Sequence, residues 1–325
     1  SISGNWPESS NLPDGIGSSL VSVRQAAVAD FDGNGTVDLL LGGRLTADGS
    51  KGSLEFYLTS KSAPPQRCLD VSIFSDAPED SSDGSPPWGF SDLSFADYDG
   101  DGDPDLFVAL NGEPDQVWEN VSGNNLACDF LTSELSTDIL PGGLPLNTTA
   151  VAWADIDAPP EGRLDLAVGV WGEQSYLLRN LGNSHAGDRR FEADVSISDI
   201  GSDQVRDLAW GVYSDDIDAP SLQLAMATDG GTWLFSPGNN STRPLDAETP
   251  AQRVAWGNLN RDQHQDLVVA ESTQLVIYSG GSGGGLDPDE PQTVFANDVH
   301  AWPSGSTHQA SGLDLADHNL DGLLD

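Results

Sequence analysis

Asp97-Tyr98-Asp99-Gly100-Asp101-Gly102-Asp103-Pro104-Asp105 runs straight into Leu106-Phe107-Val108-Ala109-Leu110. Asp97, Asp99 and Asp101 alternate, so their carboxylates converge if the backbone curls around a point. Gly100 and Gly102 permit that curl, because glycine takes positive φ at little cost. Asp105 then returns a fourth carboxylate from the far side. Acids this close repel one another unless a cation neutralises them, and hard oxygen donors on a flexible loop suit Ca²⁺ better than a transition metal. The apolar run that follows is of strand type rather than an amphipathic helix, which sets the loop between two β-strands.

The spacing opens like an EF-hand loop but lacks the glutamate at position twelve, and the stretch recurs. Asp30-Phe31-Asp32-Gly33-Asn34-Gly35-Thr36-Val37-Asp38 precedes Leu39-Leu40-Leu41, and Asp317-His318-Asn319-Leu320-Asp321-Gly322-Leu323-Leu324-Asp325 ends the sequence. A longer variant runs from Asp155 and Asp157 through Glu161-Gly162 to Asp165. A degraded copy holds Asn258, Asn260, Asp262 and Asp266. The weakest follows Ala209-Trp210-Gly211, where Asp216-Ile217-Asp218-Ala219-Pro220 repeats Asp155-Ile156-Asp157-Ala158-Pro159 but the closing acid is Gln223. Positions 30 and 317 lie five intervals apart, a mean period of about 57 residues, which indicates propeller blades or a solenoid.

Strand-like runs fit four to a period. In the second unit they fall at 91–96, 104–110, 116–120 and 128–132; in the third at 149–154, 164–170, 175–179 and 190–195. The second run of each unit is apolar on both sides, as a strand covered on both faces must be. Helical periodicity is hard to find. The expected fold is therefore all-β: a β-propeller of four-stranded blades. Five repeats are complete and a sixth is begun, for six or seven blades when completed. The blades are expected at about 20–75, 91–133, 149–196, 205–248 and 252–297, with a partial one at 310–325, in a single domain spanning 1–325. The sixth unit stops at its ninth loop position, so its second strand is expected from continuation of the chain, from residues 1–20, or from another subunit.

Asp plus Glu number 52 against 13 Lys plus Arg, a formal charge of −39, and Lys51 and Lys61 are the only lysines. Such a chain repels nucleic acid and anionic membrane surfaces. No apolar run reaches transmembrane length, so direct membrane insertion is not expected. The acid coat suits salty or calcium-rich water, or is a merely soluble surface. Cys68 and Cys128 sit at similar places in successive repeats; they are either a disulfide, in an oxidising compartment, or two buried thiols. Sequons stand at Asn120, Asn147, Asn239 and Asn240. Asn34 also fits the pattern but is better used as a metal ligand.

Ala29-Asp30-Phe31-Asp32-Gly33-Asn34-Gly35, Ala96-Asp97-Tyr98-Asp99-Gly100-Asp101-Gly102 and Ala316-Asp317-His318-Asn319 resemble the repeats of the integrin α-subunit propeller family, of FG-GAP or VCBS type. Arg179-Asn180-Leu181-Gly182 and Phe191 are similar to the strand-turn-strand ends of bacterial VCBS repeats. The resemblance covers nearly the whole chain from about residue 20. It implies Ca²⁺ between the first and second strands of certain blades, bound by side chains one, three, five and nine and by the carbonyl of position seven. Carried over, the side-chain ligands are Asp30, Asp32, Asn34 and Asp38; Asp97, Asp99, Asp101 and Asp105; and Asp317, Asn319, Asp321 and Asp325. The carbonyls belong to Thr36, Asp103 and Leu323. The third loop supplies Asp155, Asp157 and Asp165, with an insertion that obscures Glu161. The fifth loop is expected to bind weakly or not at all, and the fourth to be empty.

Three function classes follow. The first is a non-enzymatic extracellular or cell-surface module for adhesion, binding or assembly, holding a protein or glycan ligand through exposed loops or assembling with itself. The second is a lectin of the same propeller type, with Trp88, Trp118, Trp171, Trp233 and Trp302 available for sugars. Trp153, Trp210 and Trp256 share one Ala-Trp slot before the loops and read as packing between blades. The third is an enzyme, for which the sequence offers little. Its five histidines (185, 264, 300, 308 and 318) form no paired metal motif, and Gly280-Gly281-Ser282-Gly283-Gly284 lies in a glycine-rich loop with no helix after it. No catalytic residue is expected.

Overall fold

The structure, a computed structural model, describes residues 20, 22–44, 51–75, 89–121, 130–133, 147–157, 160–172, 174–182, 191–197, 204–213, 221–260, 262, 264–272, 274–281, 286, 291–295 and 312–315. The chain divides into two compact units, Ser1–Leu146 and Asn147–Asp325. The boundary falls between the second and third repeats read from the sequence.

The first unit holds two sheets. One runs β1 (Ser22–Ala29), β2 (Asp38–Arg44), β3 (Lys51–Ser60) and β4 (Ala63–Ser75). The other runs β5 (Gly89–Ala96), β6 (Asp105–Asn111), β7 (Gln116–Asn120) and β8 (Phe130–Ser133). The second unit holds three. These are β9 (Thr148–Ala154), β10 (Asp165–Val170), β11 (Ser175–Asn180) and β12 (Phe191–Ile197); β13 (Val205–Tyr213), β14 (Ser221–Thr228), β15 (Gly231–Ser236) and β16 (Ser241–Asp246); and β17 (Ala251–Gly257), β18 (Asp266–Glu271), β19 (Gln274–Tyr278) and β20 (Gln292–Phe295). Every sheet is an antiparallel meander in chain order, the form of a β-propeller blade. Among the described residues helical structure is limited to a 3₁₀ turn at Pro237–Asn239 and a 3₁₀ residue at Gly182, and no helix is long and apolar enough to cross a membrane.

First strands stand next to first strands. In the first unit β1 packs beside β5, and in the second unit β13 packs beside both β9 and β17. The core lies between consecutive sheets and is built by the period-two alternation of the second strands. On β14, Leu224 and Met226 join Ala150, Ala167 and Leu177 of the preceding sheet. Ala225 and Ala227, pointing the other way, join Val254, Leu267 and Val269 of the following one. That two-sided burial is why these strands carry no outward polar alternation. In the first unit Leu40, Leu54 and Phe56 meet Phe90, Leu93 and Leu106, and Phe56 stacks on Trp118 at 6.3 Å between ring centroids.

At Trp210 and Trp256 the Ala-Trp slot packs between sheets, as its recurrence suggests, while Trp153 meets Phe191 of its own sheet. Trp210 Nε1–H donates to the Ala152 carbonyl of the preceding sheet at 3.1 Å, and Trp256 Nε1–H donates to the Ala209 carbonyl at the same distance. Trp118 is fully buried and so unavailable to a sugar, while Trp210 and Trp256 are half-buried; Trp88 and Trp302 lie outside the described residues.

Cys68 on β4 is disulfide-bonded, and the sequence has one other cysteine, Cys128, outside the described residues. The sequons divide. Asn239 and Asn240 are exposed on the 3₁₀ turn, and Asn147 is half-buried beside β9. Asn120 is a correction to the sequence reading: its side chain is fully buried and its amide donates to the Phe31 and Pro104 carbonyls at 3.0 and 3.2 Å. That amide is structural, with no room for a glycan.

Candidate metal centre

The loop between first and second strands is shaped by its first acid. Asp97 Oδ1 and Oδ2 accept the Gly100 and Gly102 N–H groups at 2.8 and 3.0 Å; Asp30 does the same for Asn34 and Gly35 at 3.0 and 2.8 Å. Asp155 accepts from Gly162 at 2.6 Å across the inserted residues. Gly100 and Gly102 sit at φ of 79° and 97°, a turn a β-carbon would strain. The residue at position two turns inward instead: Phe31 packs on Phe56 and Phe95, and Tyr98 is buried.

The ninth position opens the second strand and closes the loop. Asp38, Asp105, Asp165 and Asp266 are each almost wholly buried. In each, Oδ2 accepts the backbone N–H of loop position two: Phe31 at 2.9 Å, Tyr98 at 3.1 Å, Ile156 at 3.1 Å and Leu259 at 2.8 Å. Oδ1 accepts an N–H at or just past the end of the third strand: Thr59 at 2.7 Å, Asn120 at 2.8 Å, Asn180 at 2.7 Å and Gly280 at 2.8 Å. One carboxylate therefore clasps the loop to two strands. In the fourth repeat Gln223, opposite Gly211 in register, makes a neutral substitute with Ser221 and Ser236.

Three loops bring acids together. Carboxylate oxygens of Asp30, Asp32 and Asp38, of Asp97, Asp99 and Asp105, and of Asp155, Asp157 and Asp165 lie within 4.8 Å of one another. Positions one, three and nine thus converge. Position five differs between the loops: Asp101 is exposed at the loop tip and accepts the Asp103 N–H at 2.9 Å, while Asn34 Nδ2–H donates to Asp32 Oδ2 at 2.9 Å and its Oδ1 accepts the Thr36 N–H at 2.8 Å. Thr36 and Asp103 are half-buried on the loop's return. Asp317, Asn319, Asp321 and Asp325 lie outside the described residues.

Burial dominates the electrostatics. Burial pushes Asp105 up to about 7, with Asp99 and Asp101 adding to the rise against the hydrogen bonds from Asn120 and Tyr98. Asp38 and Asp165 are also raised, first by burial. A cation among such oxygens would reverse the penalty. The set is all oxygen and carboxylate-rich, on glycine loops that can adjust, which fits a hard divalent ion. The third loop differs: Arg179 Nη1 pairs with Asp157 Oδ1 at 2.5 Å, so a guanidinium already supplies positive charge there.

The sequence reading missed the clasp, although the signal was present. Position nine keeps its acid, Asp266, in the degraded fifth loop, where positions one and three are no longer acidic and Asp262 at position five is the one other acid.

No protein-family model matches the sequence, and no curated protein matches it. Among solved structures, 171 chains match. One is BBS1N, crystallised in complex with ARL6DN and soaked with lead: 15% identity, 64% of this chain and 57% of that chain, TM-score 0.40. Another is Sqt1 of Saccharomyces cerevisiae: 12% identity, 84% of this chain and 60% of that chain, TM-score 0.49. The chain spans about six-tenths of the length of these matched structures.

Proposed function

We propose that this is a calcium-stabilised β-propeller module of the integrin α-subunit type, with FG-GAP or VCBS-like repeats, acting outside the cell as a non-enzymatic unit of adhesion, binding or assembly. The observation that carries the reading is the recurrence, at one register in three sheets, of three carboxylates within 4.8 Å. Such a repeated cost is retained where an ion offsets it, and an ion bound only by the folded loop adds its binding free energy to stability. Calcium is the ion that fits the donor set, with Asp30, Asp32 and Asp38 and Asp97, Asp99 and Asp105 as the stronger sites. Extracellular placement draws on the disulfide at Cys68, the exposed sequons at Asn239 and Asn240, and the −39 charge. Ligand recognition then belongs to exposed loops on the rigid scaffold, with a protein partner as the leading class. The lectin reading is weaker, because Trp118, one of the rings it would use, is spent on packing.

The test has two parts. Calcium added back to chelated protein is expected to raise the melting temperature, with saturation at a small integer number of ions by calorimetry. Labelled calcium-loaded protein is then applied in parallel to arrays of extracellular matrix proteins and of glycans. An unchanged melting temperature would remove the calcium reading, and saturable binding confined to neutral glycans would replace adhesion by the lectin.

A further inference from the structure

Arg179 stands last but one on β11, at a place the repeats fill differently. It precedes Asn180, whose N–H the ninth-position acid Asp165 accepts at 2.7 Å. The same bond ties Thr59 to Asp38 and Asn120 to Asp105, so the matching residues are Leu58 in the first repeat and Glu119 in the second. Leu58 packs on the apolar core. No lysine or arginine occurs in 30–38 and 54–60, or in 97–105 and 116–120. The third repeat has Arg163 in its loop and Arg179 beside it, in a chain with only 13 basic residues.

Both arginines are tied down. Arg179 Nη1–H donates to Asp157 Oδ1 at 2.5 Å, and Asp157 is one of the three acids whose oxygens lie within 4.8 Å of one another. Arg163 Nε–H donates to the Asn180 carbonyl at 3.1 Å, and its Nη2–H donates to Glu161 Oε1. Its stem covers Gly182, where a β-carbon would stand 3.1 Å from Cδ. Glu161 in turn lies against Asp157, whose hydrogen bond holds the Glu161 carboxyl above its ordinary value. Burial raises all three ninth-position acids. Asp32 and Asp30 add to the rise at Asp38, as Asp99 and Asp101 do at Asp105. At Asp165 Asp157 adds to it, but Arg179 opposes it.

A guanidinium bonded to a carboxylate does part of the neutralising that an ion would do. Held on the chain, it is present at every calcium concentration. A divalent ion entering the third loop would have to displace it and then lie beside its positive charge. We infer that Arg179 is the built-in cation of the third loop, closing that loop without metal and keeping calcium out of it. The inference rests on the calcium reading of the first and second loops. Among the described acid triads, calcium dependence then belongs to the first unit, and the triad of the second unit is indifferent to the ion.

Calcium is titrated calorimetrically into chelator-stripped full chain, and melting is followed in calcium and in chelator. The proteins are the native sequence, D157N, R179Q, R179K and R179Q combined with D157N. D157N is expected to leave the number of bound ions unchanged, because the third loop takes none. R179Q is expected to gain one further ion, which D157N removes again. In chelator R179Q should melt a few degrees lower and R179K closer to the native value, because the lysine keeps the charge. R179Q with D157N should lose less than the two single changes summed, because the residues act as a pair. An ion lost in D157N, no ion gained in R179Q while the native sites still fill, or additive losses in chelator would overturn the inference. If the native chain binds no calcium at all, the calcium reading falls separately. The chelator cycle then decides on Arg179 alone: coupled losses uphold it as the loop's cation and additive losses overturn it.

Discussion

Asp266 Oδ2 accepts the Leu259 backbone N–H at 2.8 Å in a loop whose first and third acids have become Asn258 and Asn260. The clasp therefore persists where the acid triad does not, and its work does not need an ion. Asp266→Ala would leave two buried N–H groups without acceptors, at roughly 2–5 kcal/mol. The same loss is expected in calcium and in chelator when unfolding is followed in urea. A loss confined to calcium-loaded protein would show that Asp266 acts through a metal.

Asp101 and Asp262 offer a sharper comparison. Both sit at position five, and each accepts an N–H two residues on, from Asp103 and His264, at 2.9 Å. Without calcium their alanine variants should cost alike, about 0.5 kcal/mol each. With calcium Asp101→Ala should cost more, because a bound ion recruits the loop tip beside Asp97 and Asp99. Equal costs in both conditions would leave Asp101 outside the coordination.

How far the sequence reveals this molecule follows from two periodicities. The 57-residue recurrence placed the sheets, because each repeat's second strand is apolar on both faces and its loop is marked by glycine and aspartate. In the second and third units strand ends moved by one or two residues where pairing, rather than hydrophobicity, sets the limit: β5 begins at Gly89, which pairs with Asn111. The triads were legible at positions one, three and nine, since alternation brings acids onto one side of a curled loop. The clasp shows only in the retention of Asp266, because the N–H groups it serves on Thr59, Asn120, Asn180 and Gly280 are backbone and leave no mark on side-chain identity. The same blindness made Asn120 look like a glycan acceptor.

The pH response should change sign with calcium. Burial raises Asp105 to about 7, above its unfolded value near 3.8, so the metal-free fold prefers the protonated acid. That contribution is fully present below about pH 4 and is lost as pH rises to about 7. Calcium needs the carboxylate, so protons compete with it and its stabilising increment should shrink as pH falls through about 7. The measurement is melting temperature against pH from 4 to 8, with and without calcium. Parallel curves would mean that Asp105 does not couple to the ion.

Glycosylation gives an independent check on the described surface. Expressed in a glycosylating host, the protein should carry glycan at Asn239 or Asn240, which are exposed, and none at Asn120, whose amide is committed to Phe31 and Pro104. Peptide mapping by mass spectrometry reads this directly. Substantial occupancy of Asn120 would mean that the amide is free while the chain is being modified.

Gly211 and Trp256 test how neighbouring sheets meet in the second unit. A β-carbon at Gly211 would fall 2.3 Å from Cδ2 of the Trp256 ring, inside any tolerable contact. The ring cannot easily retreat, because its Nε1–H is tied to the Ala209 carbonyl at 3.1 Å. Gly211→Ala should therefore destabilise by roughly 1–3 kcal/mol through overpacking. Trp256→Phe should cost about 1 kcal/mol for the lost hydrogen bond, besides lost contact area. Residues in contact do not add independently. Gly211→Ala combined with Trp256→Leu should cost less than the two single changes summed, because the smaller side chain leaves room for the new methyl group. Chemical denaturation of the four proteins closes the cycle, and additive costs would show that sheet spacing here adjusts without the ring.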